Sequence, residues 1–139
     1  MNKDRSFLNL AVKTACDGIK EGGGPFGAVI TRNGKIIAAE NNRVVISHDP
    51  TAHAEIIAIR NASEALNTHD LSECTLYASC EPCPMCLGAI YWSGIRKVVY
   101  ASDRTDASSA GFNDSLIYRE IGLDPAERKI KFVHVPDAG

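Results

Sequence analysis

Apolar residues recur at three- and four-residue intervals near the start of the chain, at Phe7, Leu8, Ala11, Val12, Ala15 and Ile19, the spacing of one helical face. The run Gly22-Gly23-Gly24-Pro25 ends that pattern, because no helix would cross it. Short apolar runs follow at 26–31 and 35–39, split by Asn33-Gly34, and together they predict a β-hairpin whose turn takes two positive-φ residues. After the loop at 48–51, Thr51 is placed to cap a helix beginning at Ala52, with Ala54, Ile57, Ala58, Ala62 and Ala65 as its apolar face through about Leu66. A strand at 75–79, a helix at 85–93 introduced by Pro82 and Pro84, and a strand at 95–101 come next. That strand–helix–strand unit implies parallel pairing through a right-handed crossover. A polar loop at 103–111, a short helix at 113–121 and an edge strand at 130–135 complete the pattern. The expectation is a single α/β domain over residues 1–139, with about five strands and helices on both faces of the sheet.

At 139 residues and 15.0 kDa there is chain for one core and too little for a second. With 45% apolar and 23% charged residues, disorder, collagen and coiled coil are excluded. The charge of −2, from 15 Lys+Arg against 17 Asp+Glu, lacks the basic excess that a phosphate-neutralising surface needs, so nucleic acid is not an expected partner. The longest uncharged stretch, residues 82–95, has 14 residues broken by two prolines and two glycines, short of the ~20 apolar residues of a membrane span. Asn9, Lys13 and Asp17 interrupt any signal-peptide core. No membrane partner is expected, and the expected location is cytoplasmic.

Three of the five cysteines crowd into Cys80-Glu81-Pro82-Cys83-Pro84-Met85-Cys86, which in a chain without an export signal reads as metal or redox chemistry before disulfides. Cys16 and Cys74 read as small buried apolar residues, and Tyr91 and Trp92 as packing. Cys83 and Cys86, three apart at a helix start, project from one face, and the positive end of that helix favours their thiolates. His53, in the first turn of the other helix, supplies an imidazole. Together these three make a His-Cys-Cys set for one Zn²⁺ per chain, with the fourth corner left to water or hydroxide, the mark of a catalytic site. Glu55, two residues from His53, is badly spaced to ligate the same ion but well placed to take a proton from a water that zinc acidifies toward pKa ~7. Cys80-x-x-Cys83 also has ligand spacing; a Cys80 ligand would close the shell and leave a non-catalytic zinc-stabilised module. Its place at a strand end, away from the helix start, weighs against that alternative.

H-x-E followed by P-C-x-x-C is the signature of zinc-dependent nucleobase deaminases. The chain resembles the cytidine deaminase-like superfamily over nearly its whole length, in Gly24-Pro25-Phe26-Gly27-Ala28-Val29, Asn41-Asn42, Asp49 through Glu55 and Cys80 through Ile90. These stretches are shared with tRNA adenosine deaminases. The stretch Ala110-Gly111-Phe112-Asn113-Asp114-Ser115-Leu116-Ile117-Tyr118 is similar to the guanine deaminases specifically. The resemblance implies a three-layer α/β/α sandwich around a five-stranded mixed sheet, a homodimer, and hydrolysis of guanine to xanthine and ammonia in purine salvage. It also implies His53, Cys83 and Cys86 as zinc ligands and Glu55 as proton shuttle. Asn42 and Asp114 would bond the purine edge, Phe26 would wall the base, and the Ala54 backbone N–H would reach a ring atom or carbonyl. The family's C-terminal helix, whose aromatic residue closes the site, has no counterpart before the chain stops at Val135-Pro136-Asp137-Ala138-Gly139. A tRNA adenosine deaminase, or a deaminase of another free base or amino-triazine, is the alternative. For the former, Arg96, Lys97 and Arg104 are the thin basic candidate, which also reads as solvated charges.

Overall fold

The N-terminal apolar spacing becomes helix α1 (Lys3–Lys20) in a computed structural model that describes residues 3–104 and 114–138. Strands β1 (Gly27–Arg32) and β2 (Lys35–Asn41) form the expected antiparallel hairpin. Its turn residues Asn33 and Gly34 both have positive φ, 52° and 75°, as a two-residue turn matched to strand twist requires. Short helix α2 (Val44–Ser47) and helix α3 (Ala54–Leu66) lead to β3 (Cys74–Cys80), helix α4 (Pro84–Ser93) and β4 (Lys97–Ser102). Helix α5 (Ser115–Ile121) and a 3₁₀ turn (Pro125–Glu127) follow. β3 pairs antiparallel with β1 and, across α4, parallel with β4, giving the sheet order β2-β1-β3-β4.

The period-2 alternation of β1 builds the layers. Ala28 and Ile30 point into a core with Ala58 and Ala62 of α3, Leu76 of β3 and Ile90 of α4. Val29 points the other way, onto Ala11, Phe7 and Leu8 of α1 and Tyr77 of β3. The architecture is therefore α/β with helices on both sheet faces. On the α1 side, the Tyr77 hydroxyl donates to Asp4 at 2.7 Å and the Lys97 ammonium to the other Asp4 oxygen at 2.8 Å. Those donors, Lys97 first, hold the Asp4 carboxyl below its ordinary range. This link between α1 and the sheet is present above that range and is lost as acid protonates Asp4.

Gly27 sets how closely α1 lies on the sheet. A Cβ there would fall onto the Ala11 carbonyl oxygen and within 2.7 Å of the Ala15 amide nitrogen, both helix backbone. Gly27→Ala is expected to lower unfolding free energy by about 3 kcal/mol, because α1 must lift as a unit. Denaturant midpoints measured beside wild type check this, and an unchanged midpoint would show that α1 does not sit so close.

Several expectations are corrected. The sheet has four strands among the described residues, not five, because residues 130–135 are irregular. Ile130, Phe132, Val133 and Val135 are 50–74% exposed. In place of a strand ladder, the Lys129 amide donates to the Glu120 carboxylate at 2.7 Å and Arg128 Nε to the Glu120 carbonyl at 3.0 Å. Helix α3 starts two residues after the expected Ala52, since Thr51 gives both its amide and hydroxyl to Asp49, at 2.8 and 2.7 Å, instead of capping. Tyr91 and Trp92 are 79% and 90% exposed, because Cys86, Ile90 and Ser93 form the inward stripe of α4. Cys74 is buried as expected, but Cys16 is exposed. The loop at 103–111, the start of the helix at Asn113 and the segment from Ala110 to Asn113 fall largely outside the described residues.

Candidate active site

The N-termini of α3 and α4 meet, bringing His53 against Cys83 and Cys86. His53 is the N-cap of α3 and Cys83 the N-cap of α4, both in extended backbone (φ −66°, ψ 153° and φ −69°, ψ 172°). Pro84, at the first helical position of α4, is preset for that break. Cys83 Sγ accepts a hydrogen bond from the Cys86 amide at 3.5 Å, so a sulfur serves as the cap acceptor.

His53 Nδ1 lies 3.5 Å from Cys83 Sγ and 3.5 Å from Cys86 Sγ, and the three donor atoms lie within 4.8 Å of one another. Bonds of ~2.3 Å to sulfur and ~2.05 Å to nitrogen at a tetrahedral angle put N and S ~3.5 Å apart. The donor set thus fits zinc in both chemistry and spacing. Cys80 is not in the cluster, so the closed four-ligand shell has no support in the geometry.

The neighbouring Cys86 side chain lowers the Cys83 pKa. The Cys86 pKa is raised by its neighbour Cys83 and by burial. The Cys83 sulfur raises the pKa of His53.

Glu55, the second residue of α3, is 7% exposed, and burial pushes its carboxyl up. It opens onto a cavity of about 540 Å³ with His53 and Cys83, walled also by Phe26, Asn42 and Asp114. The structure thus brings two of the expected zinc donors, His53 and Cys83, the Glu55 carboxyl and three of the four expected substrate residues around one space, with the third donor, Cys86, buried behind them against His53. Ala54, the fourth, begins α3 and is fully buried; its N–H is one of the first-turn donors that helix geometry leaves without an intrahelical acceptor.

Asn42 is oriented by its surroundings. Its side-chain oxygen accepts from the Val44 amide at 3.1 Å, which leaves the amide NH₂ to offer to the cavity. Its backbone is clipped to the glycine loop, with its amide donating to the Phe26 carbonyl at 3.0 Å and its carbonyl accepting from Gly24 at 3.2 Å. A Cβ on Gly24 would sit 3.0 Å from the Asn42 carboxamide. The glycine run therefore does more than stop a helix: it lets the wall bearing Phe26 close on Asn42.

Three features of the site were missed by sequence reasoning. Helix α2, which supplies the Val44 amide and lines the cavity with Val44 and Val45, is too short to give a periodic signal. Glu81 also lines the cavity and accepts from the Arg104 amide at 3.1 Å. Arg104 is no solvated charge: its guanidinium lies 3.8 Å above the Tyr118 ring and its Nε 3.6 Å from Asp114. Lys97 is likewise paired, with Asp4, so that basic candidate disperses. Among the described residues no helix is long and apolar enough to cross a membrane.

Residues 1–102 match the family described as the cytidine and deoxycytidylate deaminase zinc-binding region. A guanine deaminase of Bacillus subtilis (strain 168) is 56% identical over 131 residues, 94% of this chain and 84% of that protein. The X-ray structure of guanine deaminase from Bacillus subtilis superposes with a TM-score of 0.94 at 55% identity, covering 97% of this chain and 86% of the other. A tRNA-specific adenosine deaminase of Aquifex aeolicus (strain VF5) is 43% identical over 69% of this chain and 64% of its own length. The protein NE0047, solved in complex with 2,6-diaminopurine, matches with a TM-score of 0.77 at 39% identity over 80% of this chain and 62% of that one.

Proposed function

The chain belongs to the cytidine and deoxycytidylate deaminase zinc-binding family, and on that premise we propose that it hydrolyses guanine to xanthine and ammonia as a single deaminase domain. The observation that carries this is the cavity of about 540 Å³, in which a buried carboxyl, a zinc-spaced donor set and edge-reading polar groups face one another. The similarity to a guanine deaminase at 56% identity, against 43% over a shorter span for a tRNA-specific enzyme, supports the base over the anticodon.

His53, Cys83 and Cys86 would hold the metal. Bound zinc supplies a Lewis acid that loosens the proton of a nearby water. Glu55 takes that proton as the water oxygen bonds to C2 of guanine, the carbon carrying the amino group. It then returns protons to the ring and to the departing amine, so that water is consumed and ammonia released. Asn42 offers its NH₂ and Asp114 its carboxylate to the purine edge, Phe26 covers the ring face, and the Ala54 N–H reaches a ring atom or carbonyl. A site that pairs a polar edge rejects rings that leave its buried groups unpaired.

A homodimer in the cytoplasm belongs to the same proposal. It is supported by the apolar side chains of Tyr91 and Trp92 left on the surface and by cysteines used as metal donors rather than cross-links.

The test is ammonia release by zinc-replete protein across guanine, adenine, cytosine, their nucleosides, amino-triazines and tRNA. Guanine is expected to turn over with a kcat/KM about 10⁴-fold above the others, the discrimination that polar-edge pairing supplies. No release from guanine, or preferred release from tRNA, overturns the assignment.

A further inference from the structure

We propose that Arg104 is a positioning residue for Asp114, setting the carboxylate that reads the substrate; this rests on the guanine reading above. Helix α5, which Asp114 precedes, buries no side chain fully, so hydrophobic packing does not fix where that carboxylate points. Arg104 fixes it from the sheet side. The Glu81 amide donates to the Ser102 carbonyl at 2.6 Å, locking the ends of β3 and β4 together. The Glu81 carboxylate then accepts from the Arg104 amide at 3.1 Å. From this anchored backbone the guanidinium lies over the Tyr118 ring, its carbon 3.8 Å from the centroid, with Nε 3.6 Å from Asp114 Oδ1. Asp114 and Tyr118 are four residues apart and share one side of the helix start, so a single side chain grips both.

That Nε is buried and has no hydrogen-bond partner among the described residues. A buried donor without a partner is costly, and its nearest acceptor is a residue of the cavity wall. Held there, with Oδ1 beside the guanidinium, Asp114 presents its carboxylate to the N–H edge of the base. A lysine could supply the charge but neither the flat stacking surface nor the directed Nε–H.

The test is steady-state guanine deamination by zinc-loaded wild type, Arg104→Gln, Arg104→Lys and Tyr118→Leu, with zinc content and melting temperature measured alongside. Arg104→Gln is expected to raise KM about 10-fold, the worth of one charge-assisted contact, with kcat within about threefold. Arg104→Lys should fall between it and wild type. Tyr118→Leu should raise KM about threefold through loss of the stacking face. The double variant should be no worse than Arg104→Gln alone, because both changes release the same carboxylate. An unchanged KM in Arg104→Gln, or a fall in kcat tracking lost zinc or lost folding, overturns the proposal while leaving guanine deamination standing. A wild type inactive on guanine removes both.

Discussion

Glu55→Gln is expected to lower kcat for guanine by about 10³–10⁴-fold, the upper range for a general acid–base group, while the protein keeps about one zinc per chain. Glutamine has nearly the volume and shape of glutamate, so the buried position at the second residue of α3 stays filled and no cavity opens. What is lost is the ability to accept a proton from the attacking water and pass it on. Each turnover calls on that ability more than once, at the ring and at the departing amine, so no partial activity is expected from substrate binding alone. The measurement is ammonia release under saturating guanine, with zinc and melting temperature determined on the same preparation. If the variant keeps more than about a tenth of wild-type kcat, Glu55 is not the shuttle. Glu81, the other glutamate on the cavity wall, would then be the group to replace.

Most of this site was legible in the sequence because its parts are local. The donor set depends on two helix starts, and helix starts carry strong signals: Pro84 before one, and the break after Pro50-Thr51 before the other. The registers of His53 to Glu55 and of Cys83 to Cys86 follow from helical geometry once those starts are located. The sheet was legible up to β4 for the same reason, with Asn33-Gly34 marking the hairpin turn and the β3–α4–β4 order implying the parallel pair, although the register shift between Ile30 and Thr31 carries no signal in the sequence.

Failure came where structure depends on distant partners. Residues 130–135 are rich in apolar and β-branched side chains like a strand, yet a strand exists only where a neighbouring edge accepts its ladder, and this segment pairs with no strand of the sheet. Thr51 has the chemistry of a cap, but the nearer Asp49 carboxylate captured it. Arg104 looked like any surface cation because its three partners, Glu81, Asp114 and Tyr118, are 10 to 23 residues away in sequence.

Removing a metal donor tests the other half of the site. Cys86→Ser is expected to lose bound zinc and all measurable guanine deamination. Cys86 is fully buried, and serine fills nearly the same space, so the folded chain keeps its packing but lacks the thiolate. A metal bound only by the native state stabilises it through mass action, by about 4 kcal/mol when free zinc exceeds its dissociation constant 1,000-fold. The stability gap between wild type and Cys86→Ser should therefore be several kcal/mol in zinc and shrink to about 1 kcal/mol once a chelator strips the wild type. A gap that survives chelation would mean that Cys86 matters for packing and not for metal. Cys80→Ser supplies the complementary result. Its sulfur stands outside the His53, Cys83 and Cys86 group, so that variant is expected to retain its zinc. Loss of metal from Cys80→Ser would place a fourth protein donor on the ion, fill the corner that the attacking water requires, and turn the site from a catalytic into a structural one.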